Sequence, residues 1–324
     1  MTHAPPHEQQ PPEQRSPEPP HSGAPQSGQP LHEQPLHGQP VLDRLVRLLD
    51  LERIEENIFR GTSPKTARMR VFGGQVAGQA LVAAGRTVPP ERKVHSLHAY
   101  FIRGGDPAVP IVYEVDRIRD GRSFTTRRVV AIQHGNAIFA LAASFQIAER
   151  GMEHAEPMPA VPDPESLPTF TERVAPYAEK FGPWGRLPRP IDVRYVDDPP
   201  WVSRETGPRD AVGRAWLRAD GTLPDTDDGD LLHVCVLAYA SDMTLLDSVL
   251  ARHGLAWGLD LVKGASLDHA MWFHRPFRAD EWFLYDCASP TASNARGLAT
   301  GRIFSQQGEL VATVVQEGLI RVLD

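Results

Sequence analysis

Hydrophobic positions along this chain form helical and strand-like patterns that occur in the same order twice. Residues 41–52, VLDRLVRLLDLE, place Leu42, Leu45, Val46 and Leu49 at helical spacing, which predicts an amphipathic helix. A run at 53–60 alternates like a short strand. VFGGQVAGQALVAAGRTVP (71–89) then sets Val76, Ala77, Ala80, Leu81 and Ala84 at helical spacing behind Gly73 and Gly74. Such a helix of small residues is one that a sheet can wrap closely. Strand-like runs follow at 94–102, 110–135 and 136–147, with Gly121 and Gly135 as hairpin turns, and the alternation suits antiparallel pairing. The second half restarts with strands at 191–198 and 212–220. A helix is predicted over 231–254, with Asp228 or Asp230 at its N-cap and Gly254 at its C-cap. Strand-like runs return at 266–277, 281–308 and 309–322.

The halves also match in detail. His98-Ala99-Tyr100-Phe101 corresponds to His269-Ala270-Met271-Trp272, 171 positions on, and the turn Gln133-His134-Gly135 to Gln306-Gln307-Gly308, 173 positions on. One helix followed by a long antiparallel meander therefore occurs twice. The expected fold is α+β, a double hotdog: two tandem units, each a curved antiparallel sheet wrapped around a central helix. The expected boundaries are a first unit over 41–150 and a second over 191–324. Between them, 151–190 is a Pro-rich linker with one short helix around 169–180.

Composition sharpens this at the ends. Residues 1–40 hold eleven prolines and five histidines and almost no large apolar side chain. That composition predicts a disordered tail, because it buries too little surface to offset the entropy of ordering. Net charge is -7, which argues against nucleic acid as the main partner. No apolar run reaches the roughly 18 residues of a membrane span, and the polar N-terminus does not read as a secretory signal. Two cysteines far apart in sequence, Cys235 and Cys287, fit a reducing, cytoplasmic setting and no metal cluster.

The candidate chemistry lies in the second half. On a wheel of about 100° per residue, Leu231, Cys235, Ala238, Leu245, Leu246 and Val249 fall within about 60° of Asp242. A carboxylate in an apolar stripe needs partners, and it is either a satisfied structural group or a functional one. Ser266 opens a strand rich in His269, Trp272, Phe273, His274 and Arg275; alone, it reads equally as an ordinary strand-start hydroxyl. Gln316 follows the apolar run 310–315 and is either a buried amide in need of partners or an edge-strand side chain facing solvent.

Other signals point nowhere. There is no G-x-S-x-G elbow and no H-E-x-x-H pair. His95, His98, His269 and His274 lack ligand spacing and read as packed or surface residues. Gly73-Gly74 with Gly78 is not a dinucleotide fingerprint. The Asp225–Asp230 run lacks the glycine position and terminal Glu of a calcium loop.

The segments VFGGQVAGQAL (71–81), DGRSFTTRRVVAIQHG (120–135), YASDMTLLD (239–247), SLDHAMWFHRPF (266–277) and SNARGLATGRIFSQQGELVATVVQEGLIR (293–321) together resemble the bacterial acyl-CoA thioesterase II family. The resemblance covers about 41–322. It implies hydrolysis of fatty acyl-CoA, within lipid metabolism, with no cofactor and no metal. It places the family's water-activating residues on Asp242, Ser266 and Gln316, the serine standing where many relatives carry threonine. Asp242 would act as general base, with Ser266 and Gln316 orienting the water. Backbone amides near Gly73 and Gly74 are expected to hold the oxyanion, and Arg68, Arg70 and Arg296 are candidates to meet CoA phosphates. A homo-oligomer is also expected. Two other readings stay open: an enoyl-CoA hydratase on the same fold, and a non-catalytic acyl-CoA binding or sensing module.

Overall fold

The computed structural model describes residues 37–64, 70–182, 185, 187–225, 230–259 and 262–323. Residues 1–36 of the expected tail, Arg68 and Asp228 lie outside the described residues, and the tail's last two residues, Gln39 and Pro40, instead open the first helix. The chain opens with α1 (Gln39–Leu49), where Pro40 sits in the first turn and Val41, Leu42, Leu45 and Leu49 are buried, as their spacing predicts. Where one strand was expected at 53–60, there is a hairpin of β1 (Glu52–Glu55) and β2 (Ile58–Gly61). The small-residue helix is α2 (Gly73–Gly85), buried from Gly74 to Ala84. After it come β3 (Arg92–Phe101), β4 (Ile111–Asp120), β5 (Phe124–Gln133) and β6 (Asn136–Ile147). The β5–β6 turn uses His134 and Gly135 at φ 49° and 71°, the left-handed pair that matches strand twist in a tight hairpin.

The connection carries short helices α3 (Phe170–Val174) and α4 (Ala178–Phe181), the first closed by a reciprocal capping box between Thr169 and Glu172. Then follow β7 (Ile191–Tyr195), α5 (Pro200–Thr206), β8 (Val212–Ala219), α6 (Leu231–Ser241), α7 (Asp247–His253), β9 (Val262–Ser266), β10 (Asp268–Phe273), β11 (Phe283–Ser293), β12 (Arg296–Ser305) and β13 (Leu310–Val322).

The strands form one antiparallel sheet in the order β1-β2-β4-β5-β6-β3-β10-β13-β12-β11-β8-β7, with β9 paired to the end of β13. Read outward from its centre, each half has the same order: β3, β6, β5, β4, β2, β1 on one side and β10, β13, β12, β11, β8, β7 on the other. The halves join through β3 and β10, in a register that sets Ala99 opposite His269 and Leu97 opposite Met271. The single sheet leaves no edge at this seam.

Two expectations are corrected here. The helix predicted over 231–254 is broken: α6 ends at Ser241, Asp242 is its C-cap at φ -85°, ψ 2°, and α7 starts only at Asp247. Gly254 caps α7 in the left-handed conformation, whereas Asp230 holds the N-cap position of α6 without a side-chain capping bond. The repeat is also out of register by one residue in its first strand. Leu97 and Ala99 face the core in β3, as His269 and Met271 do in β10, while His98 is exposed. Side chains alternate across a strand, so an alignment of His98 with His269 sets an outward residue against an inward one. Moving it by one aligns Leu97 with His269, and the turn offset aligns Ala143 with Gln316.

The core is built around the antiparallel contact of α2 with α6. A Cβ on Gly74 would stand 2.3 Å from the Tyr239 carbonyl oxygen, and one on Gly78 3.1 Å from that of Cys235. Gly74 thus allows the two backbones to approach more closely than any other residue would. Buried Gln79 anchors α2, donating to the Leu48 carbonyl at 2.6 Å and accepting from Tyr113 Oη at 2.7 Å. Gly74→Ala is expected to destabilise the protein by about 2 kcal/mol, because overpacking against a backbone atom forces the helices apart. Denaturant unfolding tests this, and an unshifted midpoint would contradict the close crossing.

Candidate active site

The break after α6 determines where Asp242 stands. In a continuous helix its carboxylate would lie along the buried stripe; as a C-cap it is half-buried and turned toward the first residues of α2. The carbonyls freed where α6 ends need partners, and Tyr285 Oη donates to that of Ser241 at 3.0 Å.

Ser266 and Gln316 meet on one oxygen of this carboxylate. Ser266 Oγ donates to Asp242 Oδ1 at 3.1 Å and Gln316 Nε2 donates to the same atom at 2.7 Å. Ser266 does not head the following strand, as its sequence position predicts, but ends β9, opposite Gly318 of β13. The chain switches partner at Leu267, whose amide donates to the Glu317 carbonyl and whose carbonyl accepts from the Phe101 amide, each at 2.9 Å. The loop into β9 is braced by Trp257, which donates to Asp247 Oδ1 at 3.0 Å and packs against Gly264. Gln316 is on an interior strand and fully buried, so the solvent-facing alternative is excluded.

The other carboxylate oxygen faces α2. A Cβ on Gly73 would lie 2.6 Å from Asp242 Oδ2 and 2.8 Å from the Phe101 ring. A helix leaves its first amides without intrahelical partners and carries positive potential at that end, so the start of α2 favours negative charge where Oδ2 stands. Phe101, Phe72 and Tyr239 wall this space; the last two pack edge to face at 5.0 Å. Burial pushes the Tyr239 phenol up to about 12, so it remains neutral.

Sequence reasoning missed His269. It is 1% exposed on β10, and its Nε2 is 2.8 Å from Ser241 Oγ. Its place on the inward face with Met271, and on the strand beside Gln316, is the signal that would have found it. In the first half the aligned pair is Leu97 and Ala143, cross-strand neighbours that are both buried. The polar cluster therefore exists at one end of the helix pair and not at the other.

The remaining candidates separate. Gly74 is consumed by the helix crossing. Arg70 is exposed, its side chain lying over Gly104. Arg296 Nε donates to Glu317 Oε1 at 2.8 Å. A groove of about 1740 Å³ at the opposite end of α2 and α6, lined among others by Arg86, Leu231, Phe273 and Arg275, does not include Asp242, Ser266 or Gln316. Among the described residues there is no cluster of three or more metal-ligating side chains, and no helix is long and apolar enough to cross a membrane.

A model described as acyl-CoA thioesterase matches residues 188–319, and one described as acyl-CoA thioesterase N-terminal domain matches 62–146. Acyl-CoA thioesterase 2 of Haemophilus influenzae is 41% identical over 291 residues, covering 87% of this chain and 98% of its own. The chain belongs to the acyl-CoA thioesterase II family. Human acyl-coenzyme A thioesterase 8 is 42% identical over 287 residues, 85% of this chain and 88% of that protein. Among solved structures, an acyl-CoA thioesterase II from Mycobacterium marinum superposes with a TM-score of 0.70 at 45% identity, covering 87% of this chain and 98% of that one. A hotdog-fold protein from Alicyclobacillus acidocaldarius shares the architecture at 22% identity and the same TM-score.

In this thioesterase II chain, Gly73→Ala forces a methyl group against Asp242 Oδ2. The variant is expected to fold, because alanine favours helix over glycine. Were Asp242 the reacting group, displacing it by about 1 Å would lower thioester hydrolysis by about 100-fold. Paired melting curves and steady-state rates check both halves of this expectation.

Proposed function

We propose that the chain hydrolyses fatty acyl-CoA to free acid and CoA by direct attack of a water molecule that Asp242 activates. The supporting observation is the convergence of Ser266 Oγ and Gln316 Nε2 on Asp242 Oδ1, with Oδ2 left facing Gly73. Two donors on one oxygen fix the plane of the carboxylate and leave the other oxygen to take a proton. The second N–H of Gln316 and the lone pairs of Ser266 remain to orient the water.

The thioester carbonyl then lies with its oxygen toward the first amides of α2, near Gly73, where a developing oxyanion meets unpaired N–H groups and the positive helix end. Water oxygen bonds to the carbonyl carbon as its proton moves to Asp242. The tetrahedral intermediate collapses by breaking the C–S bond, and the departing thiolate takes that proton back. No acyl-enzyme forms. Aromatic and aliphatic side chains around Phe101 receive the acyl group. Arg70 and Arg296 remain candidates for CoA phosphates, with the ion pair to Glu317 weakening the case for Arg296.

The same reading divides the chain into a first unit over 41–150, a connecting segment over 151–190 and a second unit over 191–324. It takes the protein as a cytoplasmic homo-oligomer acting in fatty acid metabolism. The two rival functions lack a specific observation in their favour. A hydratase needs an Asp/His pair aimed at the substrate, and the His269 Nε2 instead meets Ser241 Oγ.

Asp242→Asn keeps the shape of the side chain and removes its basicity. It is expected to fold normally and to lower kcat by about 1000-fold, within the range of general-base contributions. Gln316→Ala is expected to cost less. Free-thiol release from acyl-CoAs of graded chain length measures both. Unimpaired turnover in Asp242→Asn would remove the base assignment, and tight binding of acyl-CoA by the native chain without thiol release would favour the binding module.

A further inference from the structure

The Gln316 amide is anchored through its nitrogen alone. Its Nε2 donates to Asp242, while its buried Oε1 has no hydrogen-bond partner. His269 Nδ1, also buried, is in the same position. The two residues sit side by side on adjacent strands, since Ala270 of β10 pairs with Val315 of β13. On the far side of the ring, Nε2 lies 2.8 Å from the Oγ of Ser241, the residue immediately before Asp242, and the one proton of that hydroxyl has the Ala238 carbonyl at 3.0 Å as its alternative acceptor.

We propose that His269 is a positioning residue for the hydrolytic site, carrying its proton on Nδ1 and donating it to Gln316 Oε1 while Ser241 Oγ donates to Nε2. The hydrogen bonds then run in one direction, from the Ser241 hydroxyl through the imidazole and the amide to the Asp242 carboxylate. Burial holds the His269 ring below the usual imidazole range, against the pull of Asp242, Gln316 and Asp268. The neutral ring has one donor and one acceptor, as this chain requires.

The consequence concerns which way the amide points. A glutamine amide is nearly symmetric in shape, and its partners alone decide which end is oxygen. The Asp242 carboxylate orients Gln316 while it is charged. Once it has taken the proton from water that hold weakens, and a donor fixed on Oε1 keeps the amide N–H toward the reacting atoms. The histidine acts through the amide and does not touch substrate. This inference rests on the reading of Asp242 and Gln316 given above. It adds a residue and a tautomer that the family match does not supply.

Leu97 occupies the aligned position in the first half, which makes leucine the apolar replacement to test. His269→Leu is expected to lower kcat about tenfold or more with KM within about threefold of native, since only the alignment of a bound state is lost. His269→Asn places Nδ2–H where Nδ1–H stood and is expected to recover most of that loss. In a Gln316→Ala background, His269→Leu is expected to cost less than about twofold, because both changes act on one amide.

Native kcat in folded His269→Leu overturns the relay, as does an undiminished cost of His269→Leu in the Gln316→Ala background. An asparagine variant no better than leucine overturns the assigned tautomer. Should His269→Leu fail to accumulate folded, Ser241→Ala deletes only a hydroxyl and carries the same cycle. It is expected to lower kcat in the native chain and to be nearly silent with Gln316→Ala; equal costs in both reject the relay. Retained turnover in Asp242→Asn would remove the site reading itself. An inactive Asp242→Asn beside a fully active His269→Leu would remove only the histidine's part in it.

Discussion

The carbonyl of Tyr239 occupies the space that a side chain at residue 74 would need, and the arrangement of the site follows from that crossing. With no Cβ on Gly74, α2 and α6 lie backbone to backbone and antiparallel, so the start of one helix meets the end of the other. A methyl group there separates the helices, and with them Asp242 from the start of α2. The sheet can be continuous around both helices because the pair it encloses is this thin.

Two polar groups anchored in the sheet complete what the helices begin. Ser266 and Gln316 arrive from β9 and β13, strands that are themselves paired. Their separation is therefore set by backbone hydrogen bonding and not by side-chain choice. A carboxylate between rigid donors is held in one orientation, which under the proposed reaction leaves little reorganisation for the chemical step. In the proposed relay, the buried histidine fixes the orientation of the Gln316 amide.

Much of the architecture was legible in the chain. The small-residue helix at 73–85, the antiparallel meanders and the twofold repeat are local patterns with short-range causes, and they appear where expected. The departures share a different origin. The interruption after Ser241 has no glycine or proline to mark it, and the group that takes the carbonyl freed there, Tyr285 of β11, is far along the chain. Ser266 looked like the first residue of a strand because the exchange of partners at Leu267 is a property of three segments far apart in sequence. The aligned histidines misled because identity of letters outweighed the parity of inward and outward positions. His269 went unrecognised because a lone buried histidine has no sequence signature that separates packing from positioning; only its neighbours do.

Leu97 and Ala143 stand where His269 and Gln316 stand in the other half. Two identical chains related by a twofold axis must carry every residue at both equivalent places. A reactive group in one is then a reactive group in both, and a glycine needed at one helix start becomes a glycine at the other. Joining the halves in one polypeptide releases them from that obligation. One helix is free to be nearly featureless and the other to carry a tyrosine and an acid, so that each specialises as wall or as reagent. The covalent link thus divides labour between the halves, which mirror-like assembly of a single short chain does not permit.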